Sequence, residues 1–66
     1  SNLEVSVFNL SGKLVNTLID EKVSSGNFTI SWGGTDFFGN EMSSGLYFFH
    51  INTDNQSLMR KITLIK

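Results

Sequence analysis

The apolar residues of this chain recur at every second position rather than at helical spacing. In the segment LEVSVF, residues 3 to 8, one face of an extended chain would carry Leu3, Val5 and Val7. Such segments are also rich in β-branched and aromatic side chains, which favour strands. The pattern therefore predicts an all-β protein with little room for a helix.

Turn signals divide the chain into five predicted strands. Residues 3 to 19 form a hairpin whose turn, LSGKL, places Gly12 where a positive φ is needed. The later strands are NFTISW at 27 to 32, LYFFHINT at 46 to 53 and LMRKITLIK at 58 to 66. The segment LYFFHINT is apolar on both faces, which is typical of a central strand covered on both sides.

Five strands at this spacing predict a β-sandwich or a small barrel that occupies residues 1 to 66 as one module. An immunoglobulin-like sandwich has about seven strands, so this chain is one or two strands short of a complete one, which would leave sheet edges open. The chain has 66 residues and no cysteine, and a chain of this size buries only about 60 % of its unfolded surface. We therefore expect a fragment or terminal module that packs against another domain or a second copy of itself.

The charge balance argues against nucleic-acid binding. The formal net charge is −1, and only five Lys and Arg residues are scattered along the chain, whereas phosphate binding needs a concentrated basic patch. No apolar run approaches the roughly 20 residues of a membrane span. Neither a nucleic-acid partner nor a membrane span is therefore expected.

Few residues could carry chemistry. The single histidine, His50, lies inside an apolar strand, and a structural role is favoured because catalytic sites need several convergent groups. Asp36, Asn40 and Glu41 could supply oxygen ligands to calcium, but they lack the alternating spacing of a calcium loop, so a turn role is favoured for Asp36. We expect neither an enzyme nor a cofactor.

The loop WGGTDFFGNEMSSG, residues 32 to 45, holds the least expected side chains. Trp32 is interpreted as a core residue in preference to a stacking platform, and Tyr47 would cap the core edge with its hydroxyl. Phe37 and Phe38 are large apolar rings among glycines and serines. They either cover the small core or contact a missing parent domain, or, less favoured, they form a ligand platform.

These segments together resemble a known family. The hairpin VSVFNLSGKLVNTL and the following SGNFTISWGGTDFFGNEMSSGLYFFHI are similar to the immunoglobulin-like C-terminal domain that flagellar hook-capping proteins share with the C-terminal sorting domains of type IX secretion substrates. The structural motif residues that carry this resemblance are Gly12, Trp32, Gly34, Asp36, Gly39, Gly45 and Tyr47. Gly33 departs from the family pattern, which has an aspartate there, and so do Phe37 and Phe38, where that pattern has polar or small residues.

The ending MRKITLIK is similar to that of the sorting domains. The resemblance therefore implies an immunoglobulin-like β-sandwich that is the C-terminal fragment of a larger exported protein and lacks the family's N-terminal strands. The resemblance implies a non-enzymatic domain that directs export and cell-surface attachment of a cargo protein, with the secretion machinery or the adjoining domain as partner. The alternatives are a carbohydrate- or peptide-binding module of a secreted enzyme and an assembly domain of a flagellar cap. The expected partner-binding residues are Phe37, Phe38, Arg60, Lys61, Ile65 and Lys66.

Overall fold

The computed structural model describes residues 2–22 and 30–66, and this part of the chain forms one antiparallel sheet. Its strands are β1 (Asn2–Phe8), β2 (Leu14–Lys22), β3 (Gly45–Thr53) and β4 (Ser57–Leu64). The sheet order is β2-β1-β3-β4, so β1 and β3 are central and β2 and β4 are edges. The predicted all-β class is confirmed for the described residues, and β3 is central as predicted.

The β1–β2 hairpin forms because its turn meets two local requirements. Gly12 adopts a φ of 86°, in the left-handed region that a side chain disfavours. The Asn9 carboxamide oxygen accepts hydrogen bonds from the backbone N–H groups of Ser11 and Lys13, both at 3.0 Å, and so holds the turn as an Asx turn. The predicted hairpin is confirmed, and β2 continues beyond residue 19 to Lys22.

The β3–β4 hairpin closes the other half of the sheet. The backbone N–H of Thr53 donates to the carbonyl of Gln56 at 2.8 Å, and the Thr53 hydroxyl accepts from the Gln56 N–H at 3.1 Å. The turn predicted at residues 53 to 57 is therefore present. Strand β1 then pairs with β3 from Leu3 opposite Thr53 to Phe8 opposite Phe48, which joins the two hairpins.

One face of the sheet, here the core face, carries the buried apolar side chains. Leu3, Val5 and Val7 are at most 1 % exposed, which confirms the alternation predicted for β1. Val15 and Tyr47 complete the buried apolar set. Half-buried side chains pack around the Val7, Val15 and Tyr47 cluster: Leu18, Trp32, Met42, Phe49, Ile62 and Leu64.

Two predictions about the strands are wrong for the described residues. Residues 30 to 32 are not in a strand, and residues 27 to 29 of the predicted NFTISW strand lie outside the described residues. Four strands in one sheet are therefore seen, and a five-strand sandwich is not. The prediction that β3 is covered on both faces is also wrong, because the side chain of Leu46 is 39 % exposed and Phe48 borders an open groove.

Candidate interaction surface

The loop from residue 32 to 44 is organised as a small hairpin over the core face. Thr35 and Glu41 form an isolated antiparallel bridge, and the backbone N–H of Met42 donates to the Gly34 carbonyl at 2.8 Å. The Thr35 carbonyl accepts from the Trp32 indole N–H and from the Asn16 carboxamide, both at 2.9 Å. The loop is thereby tied both to its own start and to β2.

Gly34 is the position where the loop approaches the sheet. Its φ is 80°, and a Cβ built there would lie 3.2 Å from Leu64 Cδ1 and 3.2 Å from Lys66 Cε. A side chain would therefore meet both a backbone conformation that disfavours it and a tight neighbour. Gly39, with a φ of 83°, and Gly45, with a φ of 153°, also adopt positive values.

Asp36 acts as the turn residue. One carboxylate oxygen accepts from the backbone N–H groups of Phe38 and Asn40, both at 2.9 Å, and the other from the Asn40 carboxamide at 3.2 Å. Partial burial raises the pKa of Asp36, but the hydrogen bonds from Asn40 and Phe38 outweigh it, so the pKa lies below its ordinary value. The carboxylate is committed to closing the turn.

Trp32 and Tyr47 belong to the core rather than to a stacking platform. Their rings meet edge to face with centroids 5.1 Å apart, and Trp32 meets Phe49 in the same way at 6.3 Å. The Tyr47 hydroxyl donates to the Ser43 carbonyl at 2.7 Å. Each ring thus buries its apolar body while its polar group is satisfied.

Phe37 and Phe38 lie at the tip of the loop. The Phe37 N–H donates to the Val15 carbonyl at 3.2 Å, so its backbone touches the edge strand β2, but its side chain is 54 % exposed. Phe38 is 86 % exposed. The interpretation of Phe38 as cover for the core is therefore wrong, since so exposed a ring shields little apolar surface. Display to an adjoining domain or a ligand stays a prediction for both rings.

The predicted partner-binding residues near the end of the chain differ in their contacts. Arg60 and Lys61 are exposed on β4, and Ile65 is 83 % exposed just beyond it. Lys66 folds back instead: its ammonium donates to the Gly34 carbonyl at 3.4 Å and lies 3.3 Å from a carboxylate oxygen of Glu41. Lys66 is therefore engaged with the loop, while the other three side chains face solvent.

His50 holds two strands together. Its Nε2 lies 2.7 Å from the hydroxyl of Ser57, the first residue of β4, and its ring meets Phe8 edge to face with centroids 6.2 Å apart. Among residues 2–22 and 30–66, no three His, Asp or Glu side chains are grouped to hold a metal ion. The same residues contain no helix long and apolar enough to cross a membrane.

The sheet face opposite the core, here the outer face, carries an apolar groove. Its volume is about 450 Å³, and its principal apolar walls are Phe8, Leu10, Phe48 and Met59. Leu10 is 66 % and Met59 is 57 % exposed. Sequence alternation places Phe8 and Met59 off the core face, but it does not predict the groove, because a strand that is apolar on both faces is expected to be covered on both sides.

The fold and the groove define a small β-sheet domain with an apolar surface open to a partner. The family model described as FlgD Ig-like domain matches residues 1–57, and because the match spans most of the chain, the chain belongs to that family. The hook-capping part of the resemblance is thereby confirmed, whereas the sorting-domain part receives no support. Comparisons with curated proteins and with solved structures returned no match.

Proposed function

We propose that this chain is a non-enzymatic interaction module of a hook-capping protein and that it takes part in assembly of the flagellar cap. The observation that carries the proposal is the family match over residues 1–57. The partner would be a flagellar subunit or the adjoining domain of the parent protein. The site of action would be outside the cell, at the bacterial surface.

The outer-face groove is the surface best suited to this role. Aromatic and methionine side chains are enriched at the centres of protein interfaces, where they supply apolar area and adapt to the partner. Phe8 and Phe48 form the floor as an opposed pair on β1 and β3, while Leu10 and Met59 stand at its sides. A partner side chain placed there would remove both exposed walls from water.

The test is binding of the purified domain to hook subunits from the same organism, measured by titration calorimetry. We expect binding by the wild type and loss of at least about tenfold in affinity, equivalent to about 1.4 kcal/mol, for the variant Leu10→Ser/Met59→Ser. Both side chains are more than half exposed, so the variant should keep its fold.

Phe38→Ser is the matched control. It also replaces an exposed apolar side chain, at 86 % exposure, but in the loop and outside the groove. Affinity of the control should equal that of the wild type. Equal affinity of all three proteins, or loss only with Phe38→Ser, would reject the groove as the docking surface.

A second candidate function is the sorting signal. The observation that favours it is that β4 is an edge strand with an exposed basic pair, Arg60 and Lys61, where a secretion component could add a strand. The family match ends at residue 57, so most of β4 lies beyond it. Deleting residues 57 to 66 from a cargo fusion should then trap the cargo in the periplasm, and normal surface delivery would rule this function out.

A further inference from the structure

The two edges of the sheet carry opposite charges. Strand β2 carries the acidic pair Asp20 and Glu21 just before its last residue, Lys22, and β4 has the basic pair Arg60 and Lys61 near its middle. All four side chains are exposed, and within residues 2–22 and 30–66 none of them forms an ion pair. No described strand pairs with the outer edge of β2 or β4.

We propose that β4 of one copy of this chain pairs with β2 of a second copy, with Arg60 opposite Glu21 and Lys61 opposite Asp20. Three antiparallel pairings separate β2 from β4, so these two strands run in opposite directions within one sheet. A second copy in the same orientation therefore presents β2 antiparallel to β4. This inference rests on the proposed function of the domain as an assembly module, and it names one partner.

The faces of the strands agree with this register. Arg60 pairs with Phe49 on the core face, and Glu21 pairs with Leu3 on the same face. Residues opposite each other in a sheet share a face, so the two side chains can meet. A contact between them would join opposite charges on the core-face side of the edge.

The next two rows of the register agree as well. Lys61 pairs with Phe48 on the outer face, and Asp20 pairs with Glu4 on that face. One row further, Ile62 would lie opposite Ile19, since both are on the core face. Two opposite-charge pairs and one apolar pair thus follow from a single register, whereas a slip by one residue would misplace all three.

Other edge pairings of two copies are disfavoured by the same charges. An antiparallel β4–β4 pair centred on the middle of the strand would oppose either Arg60 or Lys61 to its own copy, and like charges directly opposite each other destabilise a sheet. A β2–β2 pair would similarly concentrate Asp20 and Glu21. The charges therefore select a head-to-tail contact.

The contact would be staggered and weak. Within one copy the row of Arg60 runs through Phe49 and Val7 to Asn16, which is five positions before Glu21. The pairing thus overlaps only parts of the two edges, and an interface this small is typical of transient association. A head-to-tail contact leaves a free β2 at one end and a free β4 at the other, so it can continue into a ring or a row of copies.

The experiment measures the weight-average mass of the domain by sedimentation equilibrium. For the wild type we expect the mass to rise above that of the monomer as the protein is concentrated at low salt. High salt should reverse the rise, because it screens exposed charges. A wild-type mass that stays monomeric at every concentration overturns the proposal.

Two charge reversals test the register. Arg60→Glu/Lys61→Glu and Asp20→Lys/Glu21→Lys should each abolish the rise in mass when alone, since each leaves like charges on both edges. Their equimolar mixture should restore it, because each variant then offers the edge that complements the other. Continued association of either variant alone, or a mixture that stays monomeric, overturns the proposal.

The hook-subunit titration on the same variants separates this inference from the proposed function. Binding through the groove with no self-association would reject the edge pairing and leave the proposed function standing. Self-association with no binding to hook subunits would support the edge pairing and count against the proposed function.

Discussion

Both faces of the sheet carry apolar side chains, but the apolar part of the outer face, at Phe8, Phe48 and Met59, is not covered. On the core face Leu3, Val5 and Val7 are almost fully buried, whereas on the outer face Leu10 and Met59 are more than half exposed. Apolar alternation in sequence therefore identifies side chains that can be buried, and a second element decides whether they are. The covered face maintains the fold, and the open face is available to a partner.

Leu3→Ala should show the largest difference between the faces. Removing this fully buried side chain should cost about 2–5 kcal/mol, a large share of the roughly 5–15 kcal/mol typical of a folded domain. The control Leu10→Ala, on the exposed side, should change the free energy of unfolding by no more than about 0.5 kcal/mol. Urea unfolding measures both, and equal losses would contradict the assignment of the two faces.

Gly34→Ala should weaken the loop that covers the core face. The positive φ and the contacts to Leu64 and Lys66 predict a loss of about 1–3 kcal/mol in the free energy of unfolding. Gly33→Ala is the matched control, because a Cβ there has open space and its φ is not positive. Thermal unfolding measures both variants. Equal losses of stability would show that the close approach of Gly34 to Leu64 and Lys66 does not matter.

Phe38→Ser should leave stability nearly unchanged. The ring is 86 % exposed, so we expect a change within about 0.5 kcal/mol in the free energy of unfolding by urea. A loss above about 2 kcal/mol would mean that the ring covers the core after all. This measurement shows whether the exposed tip of the loop, at Phe38, contributes to stability as its base does, where Trp32 and Gly34 contact the sheet.

Asp36→Asn should change the pH dependence of stability by a small amount. The folded-state pKa of Asp36 is depressed, so its contribution is fully present above the pKa of the unfolded chain, about 3.9. It is lost as the pH falls through the lower folded-state pKa. The stability difference between wild type and variant should therefore shrink below about pH 4, and a difference that is constant on acidification would contradict this role.

Local sequence rules predicted the parts of the fold that local interactions decide. The alternation of β1, the glycine turn at Gly12 and the turn role of Asp36 could be predicted because each depends on a few neighbouring residues. The open groove could not, since Phe48 has the same sequence pattern whether or not another layer covers it. The opposite charges of the two edges also need the strand order, which pairs distant segments.

The structural motif residues show the same difference between features decided by local contacts and features decided by distant ones. Trp32, Tyr47 and Gly34 have their contacts within the same loop and the adjacent strands. Partner binding by the predicted residues stays a prediction. The separate interpretation of Phe38 as cover for the core is wrong, because the ring is exposed. Lys66 shows why partner-binding residues are difficult to predict from sequence. The sequence does not indicate that its ammonium contacts Glu41, as it does in the structure.

The central claim is that the outer face is the docking surface, and thiol labelling tests it most directly. The chain has no cysteine, so Met59→Cys introduces a single reactive group in the groove, and Asn55→Cys provides an exposed control in the β3–β4 turn. With excess hook subunits, we predict that the labelling rate falls at position 59 and is unchanged at position 55. Equal rates with and without subunits at both positions would contradict the claim.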